Sequence, residues 1–271
     1  MSKKVILLLT LFSFNALAGF ENRAGGARPA SLSGAVAAIG GNTWSTLYNP
    51  AGLAECRGVE ASAFFIPQQF GLKELRTIGL SASVPIGIGG VGMIVEQFGF
   101  ELYRESSVSI GFGASIDHQI ALGGTLNVVR IEVERYGSIM VPSYDFGALL
   151  QIIDGLNLGF DWRNVTGSKI GRTGESLPQV QCVGMCYVIA ADSRIALELE
   201  KDIRFPFSVK TGFEQSFLET LRLRIGFASN PDKFSCGLGA RFGSFEFAYA
   251  GFSHPQLGWT HQIEITFTLN E

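Results

Sequence analysis

The sequence predicts an all-β fold, a transmembrane antiparallel β-barrel of about 14 strands with an N-terminal plug or hatch segment. Three observations carry this prediction. Short segments alternate apolar and polar residues along most of the chain, the links between them alternate in length, and the first residues have the pattern of an export signal. Glycine and phenylalanine, 34 and 22 of 271 residues, are dispersed along the chain, which suits many short strands better than helices.

The amino terminus has the parts of a secretory signal peptide in the usual order. Lys3 and Lys4 precede an apolar run over residues 5–14, and Ala16 and Ala18 form a small-x-small cleavage site. This run is too short to cross a bilayer as a helix, which takes about 20 residues.

The signal peptide sets the domain boundaries that we predict. Residues 1–18 are assigned to the signal peptide, 19–58 to the plug or hatch segment and 59–271 to the barrel. Because the fold is a barrel and the chain is exported, we expect the protein in the bacterial outer membrane, in contact with outer-membrane lipid.

The last predicted strand shows the alternation most clearly. Trp259, Ile263 and Ile265 fall on one face, whereas Thr260 and Glu264 fall on the other. About 14 such segments lie between residues 59 and 269. The segment at residues 120–133 breaks phase where two valines adjoin at 128 and 129, and a β-bulge there would restore a single apolar face.

The links between the strands alternate in length. Tight links are expected near Pro85 and at residues 117–118, 154–155, 192–193, 217–218 and 243–244. Longer links are expected at residues 67–75, 98–105, 136–142, 166–178, 202–204, 230–233 and 254–256. Short turns at one end and longer loops at the other favour an outer-membrane barrel over a soluble β-sandwich, and place both termini on the periplasmic side.

Charged residues of both signs fall on the face opposite the apolar one. They are Glu198, Lys210, Glu214, Arg222, Arg224, Arg241, Glu246 and Glu264. We predict that they line the lumen and form a network across neighbouring strands. A β-sandwich would carry the same residues on a solvated face.

No residue pattern indicates catalysis. Residues 87–92 match the G-x-G-x-x-G pattern of dinucleotide-binding proteins, but they continue as a strand. His118, His254 and His261 have no serine and acid arranged as a triad. A net charge of −3 gives no reason to expect nucleic acid. We therefore predict a non-enzymatic protein with no cofactor and no metal.

The four cysteines are expected to be free thiols. Cys182 and Cys186 stand on one predicted strand about 13 Å apart, beyond the limit of about 7 Å for a disulfide. Cys236 lies among alternating apolar residues and is expected to face lipid. Metal binding is a weaker alternative, because no neighbouring His or Cys completes a ligand set.

Residues 34–54 read GAVAAIGGNTWSTLYNPAGLA. The end of this stretch resembles the amino-terminal signature of PorV/PorQ-type outer-membrane proteins, and the wider FadL-like outer-membrane transporter superfamily carries a similar motif. The motif residues are Tyr48, Asn49, Pro50, Ala51, Gly52 and Leu53. Weaker matches at residues 174–178, 198–202 and 254–261 extend the resemblance along nearly the whole mature chain.

The resemblance implies that this stretch packs inside the barrel as a plug. The residues agree, because Asn49 followed by Pro50 predicts an extended residue before a helical start. A short periplasmic helix outside the barrel is the alternative.

Two functions are implied by the resemblance. FadL-type proteins imply a conduit for hydrophobic small molecules, whereas PorV-type proteins imply a scaffold that binds secretion-system proteins. The chain departs from the family pattern in two ways. The last strand in the family often ends on an aromatic residue, whereas this chain continues past Phe267 for four residues. The chain is also short for the family, so long docking loops are not expected. The charges predicted in the lumen count against a wide apolar conduit.

Overall fold

The computed structural model describes residues 25–171, 175–218 and 220–270. The predicted signal peptide, residues 1–18, lies outside the described residues. Within the described part, no helix is both long and apolar enough to cross a membrane.

The described residues form sixteen strands, of which all but a short hairpin belong to the barrel. The barrel strands are β1 (Gly58–Ile66), β2 (Thr77–Ile86), β3 (Gly89–Gly99), β4 (Tyr103–Ser115), β5 (Ile120–Val133), β6 (Gly137–Ile153), β7 (Leu156–Arg163), β10 (Val180–Ala190), β11 (Ser193–Asp202), β12 (Ser208–Phe217), β13 (Leu221–Ala228), β14 (Lys233–Phe242), β15 (Phe245–His254) and β16 (Gly258–Asn270). The hairpin consists of β8 (Lys169–Ile170) and β9 (Glu175–Ser176).

Each barrel strand pairs antiparallel with its neighbours in sequence order. The β8–β9 hairpin is a separate sheet, so β7 pairs directly with β10. Closure comes from β1 and β16, where Val59 lies opposite Leu269 and Phe65 lies opposite Ile263. Closure satisfies the backbone groups that an open sheet would leave at its edges. The predicted antiparallel barrel of 14 strands is confirmed.

The two faces of the wall differ in polarity. On β13, Leu223, Ile225 and Phe227 point outward and are 43, 52 and 47% exposed, whereas Arg224 between them points into the lumen and is 2% exposed. Large apolar side chains are exposed in this way on the other barrel strands too. An apolar exterior around a polar interior is the pattern of a membrane-spanning barrel, because the outer face meets lipid.

The β-bulge predicted in β5 is wrong. The register of β5 runs without a shift against both neighbouring strands. Val128 faces outward and Val129 faces the lumen, where it packs with Val141 and Leu177. Leu177 follows the β8–β9 hairpin, so the phase break arises because this part of the lumen face is apolar and is covered by a loop.

The links alternate in length less strongly than predicted. The longest links, residues 67–76 and 164–179, lie at one end of the barrel, and tight turns such as 154–155 lie at the other. Two predicted long links are short, because β4 already begins at Tyr103 and β6 at Gly137. We take the side of the barrel with the longer links as the extracellular side. The start of β1 and the end of β16 lie on the opposite, periplasmic side.

Before the barrel, the chain forms short helical turns. They are α1 (Ala27–Ser31), α2 (Ser45–Tyr48) and a 3-10 helix (Pro50–Glu55). A second 3-10 helix (Lys73–Leu75) lies in the first extracellular link. We call residues 25–57 the N-terminal segment.

Candidate functional site

The N-terminal segment lies against the lumen side of the wall. Its first helix, α1, contacts β13, β14, β15 and β16, whereas its 3-10 helix contacts β2 to β6 on the far side. The segment therefore reaches across the lumen from one part of the wall to the other.

Wall carboxylates accept hydrogen bonds from the segment. Glu264 accepts from the Ala27 backbone N–H and from Trp44 Nε1, the latter at 2.7 Å. Glu198 accepts from two successive backbone N–H groups, those of Val36 at 3.0 Å and Ala37 at 2.9 Å. An irregular chain leaves backbone donors that its own structure does not satisfy, and charged acceptors bind them strongly.

One cluster of predicted lumen charges is centred on Arg224. Its Nε lies 2.6 Å from Glu214 and its Nη2 lies 3.3 Å from Glu246. Arg28 of the segment also binds Glu214, at 2.9 Å, and Arg222 binds Glu246. The cluster joins β12, β13 and β15 to the segment, so charge pairing and segment packing are coupled.

The last of the predicted charges, Arg241, lies on the same face. It is opposite Glu246 in the register of β14 and β15. The ion pairs of the Arg224 cluster do not include it.

A second cluster lies on β7, β11 and β12. Lys210 Nζ lies 3.2 Å from Glu198 and 2.7 Å from Glu200, and Arg163 lies 3.7 Å from Glu200. Cys182, Glu198 and Glu200 each offer one atom that could bind a metal ion, and these three atoms lie within 4.8 Å of one another. Lys210 and Arg163 already pair with these two carboxylates, so the arrangement is that of an ion-pair network. All four cysteines are free thiols, as predicted.

The predicted plug motif lies in the last third of the segment and is buried. Asn49 Nδ2 donates to the carbonyl of Ala37 within the segment and to that of Ala148 in β6, the latter at 3.0 Å. Asn49 Oδ1 accepts from the Ala51 N–H at 3.1 Å, which begins the 3-10 helix. Tyr48 donates its hydroxyl to the Gly25 carbonyl at 3.0 Å.

The remaining motif residues close a turn of the segment. Pro50, Ala51, Gly52 and Leu53 form the buried part of the 3-10 helix. Gly52 accepts a hydrogen bond from the Gly41 N–H at 2.9 Å.

Glu55, near the end of the segment, is an exposed residue. Partial desolvation of its carboxyl by neighbouring groups raises the pKa of that carboxyl above its usual value, and the charge of Arg57 opposes that rise.

Lumen-facing glycines make room for the segment, a role that is not among the sequence-based predictions. A Cβ on Gly159 would overlap the Ala37 carbonyl, and a Cβ on Gly123 would overlap the backbone of Pro50. We call these positions the glycine belt: Gly90, Gly92, Gly111, Gly113, Gly123, Gly147, Gly159, Gly184, Gly212, Gly226 and Gly237. The sequence does contain a pattern that indicates the glycine belt, because glycines recur on the polar face of many predicted strands.

We predict that Gly159→Val loosens the segment without preventing insertion. Overpacking of this kind costs about 1–3 kcal/mol, so proteinase K should cut the segment in folded protein about tenfold faster or more. Mass spectrometry of the fragments measures the change. Gly87→Val is the matched control, because Gly87 lies in a turn with nothing within 4 Å of its Cβ position. Equal cleavage of both variants would contradict the packing described here.

A cavity of about 750 Å³ lies on the extracellular side of the segment. Its floor includes Pro29, Leu47 and Tyr48 of the segment, and its rim includes Phe70 and Phe205 from extracellular links. Its volume is in the range of small-molecule binding sites.

The cavity has two chemically different walls. Ser107, Ser109, Asn127 and Ser143 lie on β4 to β6, and among the described residues the only charged ones on this side are the acidic Glu96 and Glu105. The other side, on β7 and β11 to β14, carries charges of both signs: Arg163, Glu200, Lys210 and Lys233. The Lys233 ammonium lies 4.3 Å from the ring centroid of Phe252.

These features define a closed transmembrane barrel with a lumen partly occupied by its own amino-terminal chain. No family model matches the sequence, and no curated protein matches it. Solved structures do. The chain is similar to the CymD monoaromatic hydrocarbon channel, with a TM-score of 0.70 and 12% identity over 91% of this chain and 98% of that one.

Two further solved structures share the fold. The Pseudomonas putida toluene transporter TodX has a TM-score of 0.68 at 10% identity, over 91% of this chain and 99% of that one. A Pseudomonas aeruginosa FadL homologue has a TM-score of 0.66 at 9% identity, over 89% and 97%. At such identities the likeness shows the fold alone, which is the fold that the FadL-like part of the resemblance implies. The PorV/PorQ part stays a prediction.

Proposed function

We propose that the protein is an outer-membrane conduit for small hydrophobic molecules. The observation that carries the proposal is the cavity of about 750 Å³ at the extracellular end of the lumen. Its rim and walls include Phe70, Phe98, Phe205 and Phe252, and its floor includes Leu47. These apolar side chains lie at the floor and rim, beside walls that are polar and charged. Apolar and aromatic side chains supply most of the contacts in sites that bind small molecules.

The comparisons support the choice of substrate class. Two of the proteins with this fold are described as a monoaromatic hydrocarbon channel and a toluene transporter. The lumen charges, which by themselves count against an apolar conduit, are largely paired with one another or with the segment. Paired charges leave the floor and rim of the cavity available to apolar molecules.

We also propose that the N-terminal segment is the plug of this conduit. It forms the floor of the cavity, and wall carboxylates and the glycine belt hold it. A ligand that passes from the cavity toward the periplasm therefore has to pass the segment or displace it.

Toluene uptake by cells tests the proposal. Expression in a Gram-negative host without its own hydrophobic-compound channel should raise the uptake rate of labelled toluene. Val129→Trp, which fills part of the cavity, should return uptake to nearly the rate of cells without the protein, whereas Val128→Trp should leave it unchanged. The two residues are neighbours in β5, but Val128 faces outward. Uptake equal to that of empty-vector cells would overturn the proposal.

A scaffold for secretion-system proteins is the alternative. It needs an exposed and partly apolar loop surface. Leu72, Leu102, Tyr136 and Leu257 expose apolar side chains on extracellular links, but they are single residues on separate links. The links at residues 100–102, 134–136 and 255–257 are short, and the long link at 164–179 packs inward through Leu177. The conduit is therefore favoured. A protein partner that copurifies in stoichiometric amount, detected by native mass spectrometry, would instead favour the scaffold.

A further inference from the structure

One buried nitrogen atom in the cavity wall has no hydrogen-bond partner among the described residues. It is Nδ2 of Asn127, a residue that is 1% exposed and lines the cavity. Ser109 donates its hydroxyl to Oδ1 of the same amide at 2.6 Å. The amide oxygen is therefore occupied, whereas the two hydrogens of the amide nitrogen remain unused.

Asn127 belongs to a row of three polar residues across neighbouring strands. Ser109 on β4 lies opposite Asn127, and Asn127 lies opposite Ser143 on β6. Thr125, two residues away on the same face of β5, donates its hydroxyl to the Thr46 carbonyl of the segment at 2.9 Å. The row thus lies immediately above the cavity floor.

A buried amide donor without a partner is unfavourable, and native structures rarely leave one. Here the side chain that carries the unused donor belongs to a residue that lines a cavity large enough for a small molecule. An acceptor atom on a bound ligand would complete its hydrogen bonding. The neighbouring Val129 and the floor residues Leu47 and Tyr48 would contact the apolar part of that ligand.

The surroundings of the row disfavour an anion. Glu105 and Glu96 line the same side of the cavity, and Glu96 lies opposite Ser107 in the register of β3 and β4. A carboxylate ligand on this side of the cavity would share it with both glutamates, and like charges repel. A neutral acceptor, such as a carbonyl oxygen, avoids that cost.

We propose that the row Ser109, Asn127 and Ser143 is a ligand subsite for neutral hydrophobic molecules that carry one hydrogen-bond acceptor, such as aromatic ketones. The inference rests on the proposed conduit, because it assigns a selective contact within the same cavity. A hydrogen bond from this subsite would make the protein bind a ketone more tightly than a hydrocarbon of the same shape.

Binding of acetophenone and α-methylstyrene tests the subsite. The two molecules have nearly the same shape, but a C=O group in one replaces a C=CH₂ group in the other. Protein in lipid nanodiscs is equilibrated with each vapour, and headspace gas chromatography measures the uptake above that of protein-free nanodiscs. After this correction for partitioning, acetophenone should bind about tenfold more tightly, as one net hydrogen bond provides.

Variants assign that preference to the row. Asn127→Leu has similar volume and no donor, so it should bind both molecules equally while keeping the affinity for α-methylstyrene. Asn127→Asp retains the polarity and the size of the side chain but has no amide donor, so it should also lose the preference. This variant replaces Asn127→Leu in the test if the leucine variant does not fold. Lys233→Met removes a donor from the far wall and should leave the preference unchanged.

The outcomes separate the two proposals. Equal binding by the unmodified protein, or a preference that survives in both Asn127 variants, overturns the subsite and leaves the conduit standing. A preference lost in Lys233→Met but not in the Asn127 variants also overturns the subsite. Binding of neither molecule above protein-free nanodiscs overturns the proposed conduit and the subsite with it.

Discussion

Removing residues 25–54 should convert the barrel into an open pore with steady ion conductance in planar bilayers, where the full chain passes little current. The interior of a barrel widens with strand number, and about 14 strands enclose more space than wall side chains fill. In this protein the segment occupies that space and rests on the glycine belt. The barrel itself should still form, because β1 begins at Gly58 and its pairing with β16 does not involve the deleted residues.

A smaller change should loosen the segment without removing it. Asn49→Leu abolishes the amide contacts to Ala37 and Ala148 while keeping the size of the side chain. We expect brief openings on a closed baseline, whereas the deletion gives a constant current. If the deletion leaves the conductance unchanged and protease cuts residues 34–54 freely in the full chain, the segment does not plug the barrel.

The barrel could be predicted from the sequence because strand period and environment are directly linked. Side chains alternate between the two faces, so a register shifted by one residue would place Ile263 and Ile265 in the lumen and Glu264 in lipid. The break at Val129 was misinterpreted for a physical reason. Periodicity shows that a face is apolar, but it does not show whether lipid or a folded loop covers that face.

The site was only partly predictable. Charges on the polar face, such as Glu198 and Glu264, identified the lumen side, but their partners include backbone N–H groups of the segment, which every residue type except proline carries. Sequence patterns do not distinguish one N–H from another. The unused donor of Asn127 depends in the same way on the geometry of neighbouring strands, which no local pattern encodes.

A second large effect is expected on β13, where adjacent residues face lipid and lumen. Ile225 lies near the middle of the strand and is 52% exposed on the outer face. Ile225→Arg should lower the free energy of unfolding by about 2–4 kcal/mol, because it places a cation in the hydrocarbon region. Urea titration of protein refolded into lipid vesicles measures this change, with Ile225→Val as the apolar control.

Arg224→Leu should act through the lumen instead. It leaves Glu214 with Arg28 and Arg194, and Glu246 with Arg222, so the loss should stay near or below about 3 kcal/mol, the lower end for a broken buried pair. Bilayer thickness separates the two mechanisms. In vesicles of shorter-chain lipid the cost of Ile225→Arg should fall, because the arginine reaches the headgroups more easily, whereas the cost of Arg224→Leu should not change. If both variants respond alike to lipid thickness, the assignment of faces on β13 is wrong, and with it the lumen location of the Arg224 cluster.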